Sequence, residues 1–381
     1  MSVERSTAKY EQWLQERLKP NQEISDFQIK KKHKAMADDP FQFLRATFYR
    51  WAQLWPKECT ELASQKEDVV FAIGDLHAEN FGTWRDAQGR LVWGVNDFDE
   101  ACRLPFTHDL VRLATSALLA ADEDHLSISN DAICQCLVDG YANACRAGGG
   151  GFILDSAHQA LRLLINDALE TANAKTFWKD LQDENDYPLV SSKLPIDENV
   201  ARFLSDSLPT GAKVTYRMVR KGKGLGSLGR PRFVALTEWK GGFVGREAKA
   251  LVPSAVEWLN DPQSTEIGAE ATLKVAIRSP DPWYQIRQGW VIRLLAPDAV
   301  KVDLKKLGKQ VNEDSFARTL LKAMGWDAAN IHLGSKEGPK LLNRLENLQS
   351  MKKAWLLNAA ERMRDVVKDD FKAWRKAPAD N

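Results

Sequence analysis

The sequence predicts an α+β protein of two lobes, one mostly helical and a smaller one built from antiparallel β-strands. Three observations carry this. Helical periodicity fills residues 7–57, about 107–146, 157–185 and 312–376, with apolar positions recurring at three- and four-residue steps. From about 212 to 294 the chain turns to β-type runs, AKVTYRMV, RFVALTEW, GFVGREAKAL, TLKVAIRS and WYQIRQGWVIRLL, separated by Gly-containing turns. Two short apolar runs inside the helical part, 69–73 and 91–96, read as buried strands. The expected units are a helical lobe over 1–205, a β-rich lobe over 206–300, and C-terminal helices over 301–381 that pack back on the helical lobe.

The elements follow in order. In the first helical stretch Phe41, Leu44, Phe48, Trp51 and Trp55 mark the apolar stripe, and Asp38, Asp39 and Pro40 form a helix start. The run VVFAI at 69–73 is bounded by charge and Gly, and the turn Asp86 to Gly89 precedes LVWGVN. Gly148 to Gly151 break the next helical stretch, and Gly325 and Gly334 read as breaks in the last one. No internal repeat occurs.

Composition narrows the class. The chain has 381 residues with 53 Lys plus Arg against 52 Asp plus Glu, a formal net charge of +1. Such a balance excludes a polybasic tail protein or an acidic solvating protein. The five Cys form no CxxC pair, which argues against a disulfide framework or zinc site and for buried thiols in a reducing cytosol. The start MSVERSTAKYEQW lacks an apolar core of the signal-peptide kind, and no run of about 18 apolar residues occurs. The expectation is a cytoplasmic protein with no membrane partner.

Two motifs carry chemistry. Residues 74–80 read Gly-Asp-Leu-His-Ala-Glu-Asn after the first apolar strand, and 96–100 read Asn-Asp-Phe-Asp-Glu after the second. Acidic tips on neighbouring strands can converge on one divalent cation, and Mg²⁺ takes one or two carboxylates plus substrate phosphates. A dimetal hydrolase also begins with Asp-x-His, but it would need further His ligands. Only His332 lies beyond residue 158, and no Gly-Asn-His occurs.

The second motif is Gly-Lys-Gly-Leu-Gly-Ser-Leu-Gly at 222–229, which contains GxGxxG at Gly224, Gly226 and Gly229. A dinucleotide fingerprint needs a helix next. Here Pro231 and RFVALTEW follow, so the reading is strand, Gly-rich turn, strand, the arrangement in which backbone N–H groups cover nucleotide phosphates. The candidate phosphate binders are Gly222, Gly224, Gly226, Ser227 and Gly229. A cation from the following strand would pair with the phosphates, and Arg246 and Lys249 both qualify. Strand alternation puts them on opposite faces, so one alone can enter the cleft; Lys is the usual residue. Glu247 is a candidate ion-pair partner, and WVIRLLAPD at 290–298 a candidate lobe connection beside the base.

These residues resemble known enzymes. GDLHAEN resembles the catalytic loop of aminoglycoside phosphotransferase-like and protein-kinase-like enzymes, and VNDFDEACRLPFTHDLVRLA resembles the stretch carrying their metal-binding and structural Asp residues. The resemblance implies Asp75 as catalytic base, Asn80 and Asp97 as Mg²⁺ ligands, Asp99 as support for a second metal, and Asp109 as a brace of the loop. His77 is expected to hydrogen-bond within the loop. KHKAMADDPFQFLRATF, FAIGDLHAENFG, NDFDEACRLPFTHDLVRLATS, GLGSLGRPRFVAL, REAKALVPSA and WVIRLL together resemble an uncharacterised bacterial family, domain of unknown function 2252. That family's Lys-Glu-Ala segment reads Arg246-Glu247-Ala248 here, which leaves the choice of cation open. Kinase-like chains place the Gly-rich lobe first, whereas here it follows the catalytic loop. The implied fold is therefore a circularly permuted two-lobed kinase-like one.

The expected function is an ATP- and Mg²⁺-dependent phosphotransferase acting on a hydroxyl of a small molecule or protein. Nucleotidyl transfer to a protein and a non-catalytic nucleotide-binding regulatory module are the alternatives. A nucleic-acid reading rests on seven cations without an acid between Lys213 and Arg232, whose overlap with the Gly-rich turn makes a nucleotide site simpler.

Overall fold

The computed structural model describes residues 1–18, 25–170, 172–191, 195–220, 224–307 and 314–377. Five helices open the chain: α1 (Val3–Arg17), α2 (Asp26–Ala35), α3 (Pro40–Ala46), α4 (Phe48–Glu58) and α5 (Thr60–Ala63). Asp39 caps α3 by accepting from the Gln42 N–H, with Pro40 at the first helical position. Next come β1 (Val69–Ala72), β2 (Phe81–Arg85), β3 (Leu91–Val95) and β4 (Cys102–Pro105), then α6 (Phe106–Asp122) and α7 (Asn130–Ala147). Gly148 ends α7 in the left-handed region, at φ 77°. A two-residue strand β5 (Phe152–Ile153) precedes α8 (Gln159–Glu170), α9 (Ala174–Asp180) and α10 (Glu198–Asp206).

The β-rich part holds β6 (Thr215–Met218), β7 (Arg232–Trp239), β8 (Gly242–Ala250), α11 (Ala255–Asn260), α12 (Gly268–Val275), β9 (Gln285–Arg287) and β10 (Trp290–Leu295). Its five strands form one antiparallel sheet in the order β6-β7-β8-β10-β9. The chain closes with α13 (Leu304–Leu307), α14 (Asp314–His332), α15 (Gly338–Met351) and α16 (Trp355–Lys376). Helices α14 and α15 pack on α7, and α16 packs on α6. The protein is thus mixed α+β with small antiparallel sheets.

Several expectations need correction. The helical part holds five short strands, in sheets β1-β4 and β2-β3-β5, where the sequence pointed to two. The missed β2 has only five residues and contains Gly82; pairing with β3, Phe81 opposite Val95, is what makes it a strand. TLKVAIRS was expected as a strand, but α12 covers its first half, because Ala269 and Thr272 are three apart and both buried against β1 and β4. WVIRLL is the sheet strand β10 rather than a connection, and the crossing begins at Ala296. Gly325 breaks nothing. It lies inside α14, where a Cβ would stand 2.1 Å from the Leu137 carbonyl of α7, and a Cβ on Gly140 of α7 would stand 2.0 Å from the Lys322 carbonyl. The two glycines let these helices touch backbone to backbone.

The five Cys are buried free thiols. Among the described residues, no helix is long and apolar enough to cross a membrane.

Candidate functional site

Strand β1 delivers the chain into the loop 74–80. Gly74 is required there: its φ is +76°, and a Cβ would lie 2.3 Å from the Glu100 carbonyl. Asp109, at the start of α6, braces the loop from below. Its Oδ2 accepts from the Ile73 N–H at 2.7 Å and its Oδ1 from the Gly74 N–H at 3.0 Å. Trp51 donates its indole N–H to His108 Nε2, so His108 carries its proton on Nδ1 and donates it to Asp109. His332 Nε2 lies 3.0 Å from the other carboxylate oxygen. Burial works against ionisation of Asp109, but these donors outweigh it and hold the carboxyl far below the usual range.

Asp75 stands above this brace. Arg112, fully buried on α6 between the rings of Phe48 and Trp51, grips Asp75 Oδ1 through Nε at 2.9 Å and through Nη2. That leaves Oδ2 turned toward the Gly-rich segment. Burial raises the Asp75 carboxyl, and the Arg112 charge only partly offsets it. His77 accepts from the Glu79 N–H at 3.2 Å, so its role is within the loop, and burial lowers it well below its ordinary value.

Asn80 joins the two acidic loops. Its Nδ2 donates to the carbonyls of Asp75 and Asp97, and its Oδ1 accepts from the Asp97 N–H at 3.1 Å. The Asp97 side chain is 25% exposed, with Lys249 Nζ 3.4 Å from Oδ1 and Lys301 Nζ 3.9 Å from Oδ2. Burial opposes its charge, but the two lysines hold it well below the usual carboxylate range. Asp99 is engaged on both oxygens, by Lys249 at 2.6 Å and Arg230 at 3.4 Å. It therefore positions cations here; supporting a second metal would require breaking both pairs.

The Gly-rich segment closes over these loops although some 150 residues separate them in the chain. A Cβ on Gly226 would stand 3.2 Å from Asp75 Oδ2 and 3.2 Å from the Arg45 carbonyl. Gly224 has φ +92° and opens a single 3₁₀ turn, Leu225–Ser227. Ser227 Oγ accepts from Arg232, so its side chain is tied back into the sheet. Gly229 donates its N–H to Gln28 of α2 at 2.9 Å, and its carbonyl accepts from Ser25. Gly222 lies outside the described residues. Asp75, Asn80, Asp97, Asp99, Gly224, Gly226, Ser227 and Lys301 line one pocket, which the rings of Tyr10, Phe48 and Tyr49 wall at one end.

Strand β8 separates the two candidate cations as alternation requires. Lys249 points at Asp97 and Asp99. Arg246 points away, its guanidinium stacked 4.0 Å from the centre of the Trp283 ring. Glu247 pairs with Arg293 at 2.7 Å and Arg232 at 3.6 Å, and with neither candidate. Three residues central to the site had not been singled out for it: Arg112, Arg230 and Lys301. Arg112 had a signal, a lone cation in the apolar helix run LVRLATSALLAA, which demands a buried partner. The cationic run 213–232 is partly internal: Arg230 and Arg232 are buried on acidic partners, and Arg217 donates to the Tyr187 carbonyl.

Among the described residues no cluster of three or more His, Cys, Asp or Glu forms a metal cage. The donors present are the ionised Asp97 carboxylate and the remaining lone pair of Asn80 Oδ1. Oxygen donors of this kind could take part in holding a hard divalent cation.

Residues 26–187 match the sequence model of a family described as an uncharacterized protein conserved in bacteria, DUF2252. The matched stretch contains both acidic loops, the Asp109 brace and Arg112, but not the five-stranded sheet. No curated protein and no solved structure matches the chain.

Proposed function

We propose that this pocket is the phosphate end of a Mg²⁺–ATP site and that the chain is a phosphotransferase acting on the hydroxyl of a small molecule or protein. One observation carries the reading: Gly226 packs on the Asp75 carboxylate while Lys249 reaches Asp97 and Asp99 from the same sheet. Turn and cation from one part thus meet, from the other, the carboxylates that this reading takes as base and metal donor. A Gly-rich turn between two antiparallel strands, with a Lys on the third, suits a kinase-like nucleotide lobe. The order of these parts along the chain suits a permuted version of it.

In this reading Asp97 and Asn80 would hold Mg²⁺, which supplies charge neutralisation at the phosphates. Asp75 Oδ2 accepts the proton of the acceptor hydroxyl. The acceptor oxygen bonds to the terminal phosphorus, the bond from that phosphorus to the bridging oxygen breaks, and the electron pair leaves with ADP. Arg112 keeps Asp75 oriented, and its hold on Oδ1 leaves Oδ2 for the proton. Burial raises the Asp75 carboxyl, which favours proton acceptance. Lys249 and the glycine N–H groups stabilise charge on the phosphates.

Calorimetry tests this with the full chain, Mg²⁺ and a non-hydrolysable ATP analogue. Binding should require Mg²⁺ and vanish in Asp97→Ala; binding that ignores both would sink the assignment. A non-catalytic nucleotide module is the second reading, favoured by the close approach of Gly226 to Asp75 Oδ2, which narrows the space an acceptor hydroxyl has to enter. Tight binding with no turnover on any acceptor, unchanged by Asp75→Asn, would select it.

A further inference from the structure

We propose that Lys301 holds the terminal, transferred phosphate of the nucleotide, an inference that rests on the phosphotransferase reading. Nothing in the motifs assigns this residue a role. Its placement comes from the chain that leaves β10 and crosses to β2. There the Thr83 N–H donates to the Val300 carbonyl at 2.9 Å, the Val300 N–H donates to Thr83 Oγ1 at 3.0 Å, and the Val302 N–H donates to the Phe81 carbonyl at 2.9 Å. Gly82 makes this docking feasible. A Cβ there would lie 2.6 Å from the Val300 carbonyl and 2.2 Å from Asn96 Nδ2. These contacts, with Thr83 Oγ1 donating to the Asp298 carbonyl at 2.7 Å and Arg85 Nε to Asp298 Oδ2 at 2.7 Å, fix the segment on the strand that directly follows the catalytic loop.

The charge accounting then singles Lys301 out. The other cations that line this pocket are closely paired, Arg45 with Glu79 at 2.6 Å and Arg230 with Glu100 at 2.7 Å, and the buried Lys249 beside it is held by Asp99 at 2.6 Å. Among the described residues Lys301 is paired with Asp97 alone, at 3.9 Å, and its side chain is 39% exposed. It lines the pocket together with Asp75 and Asn80. Lys249 approaches Asp97 from the sheet, and Lys301 approaches it from the segment docked on β2. A phosphate chain bound at Asp97 therefore meets Lys249 on one side and Lys301 on the other. The phosphate nearest Asp75 has to be the terminal one, since Asp75 serves the acceptor. A loosely paired ammonium lining the same pocket as Asp75 suits the group that carries the most developing charge.

Titration calorimetry of the full chain with Mg²⁺ compares a non-hydrolysable ATP analogue with ADP. Lys301→Met should weaken the triphosphate about tenfold and leave ADP within about twofold, and Lys301→Arg should recover part of the loss. Equal losses for both nucleotides, or no loss for either, would overturn the proposal while the phosphotransferase reading stands. A wild-type chain that binds neither nucleotide would overturn that reading itself. Thermal melts of the variants should match wild type, because the side chain is partly exposed.

Discussion

Asp97 and Asp109 sit in neighbouring parts of the same structure and do opposite things. Asp109 is fully buried and takes two backbone N–H groups and two imidazoles on its two oxygens. Asp97 is a quarter exposed and has longer contacts, with two ammonium groups at 3.4 and 3.9 Å and with the Asp99 N–H at 3.4 Å. Both are held ionised against the cost of burial. The difference lies in what is left over. Every acceptor direction of Asp109 points at the protein, so it is a structural brace. Asp97 keeps acceptor capacity facing a pocket, so it can serve a ligand.

Substitutions can break or sharpen this contrast. Asp109→Ala should have the largest effect on stability, about 3–5 kcal/mol, because it strands the Ile73 and Gly74 N–H groups and two buried imidazoles. Chemical denaturation measures it; a loss under about 1 kcal/mol would deny the brace. Asp97→Ala should leave stability within about 1 kcal/mol and remove about a hundredfold of Mg²⁺-dependent ATP affinity. Were the melt to drop as far as for Asp109→Ala, the two carboxylates would not differ in kind. On the sheet side, Lys249→Met should weaken nucleotide binding by about tenfold, whereas Arg246→Met should leave it within about twofold, since Arg246 stacks on Trp283 instead. Reversed results would move the phosphate cation to the other face of β8. The smallest effect is one of pH. Burial opposes the charge of Glu247, but Arg293 and Arg232 prevail and bring it down to about 2. Its contribution to stability is then present above the unfolded Glu value of about 4.3 and is lost as pH falls toward 2. Melts between pH 5 and pH 2 should show that loss, and Glu247→Gln should flatten it.

Much of this was readable from residue order. The helices of the first 58 residues, the strands that lead into the two acidic loops, and the antiparallel run from β6 to β8 follow from periodicity and turn residues. Alternation also required Arg246 and Lys249 to face opposite ways. Other features depend on partners far along the chain. Strand β2 exists through its register with β3, and α12 is a helix because Ala269 and Thr272 meet β1 and β4. Gly325 looks like a helix break until Leu137 is seen behind it. Lys301 gave no local sign: its position depends on Gly82, more than 200 residues earlier, having no side chain. Arg230 is one of seven cations between Lys213 and Arg232, yet it is buried on Asp99 and Glu100. Local pattern reports which face a residue takes, but not which distant backbone will come to meet it.

The most direct test is a crystal structure of the full chain with Mg²⁺ and a non-hydrolysable ATP analogue. Phosphates under Gly224–Gly229, with the metal on Asp97 and Asn80 and the terminal phosphate facing Asp75, are the predicted result. A nucleotide bound elsewhere, or phosphates that avoid Asp97 altogether, would contradict it.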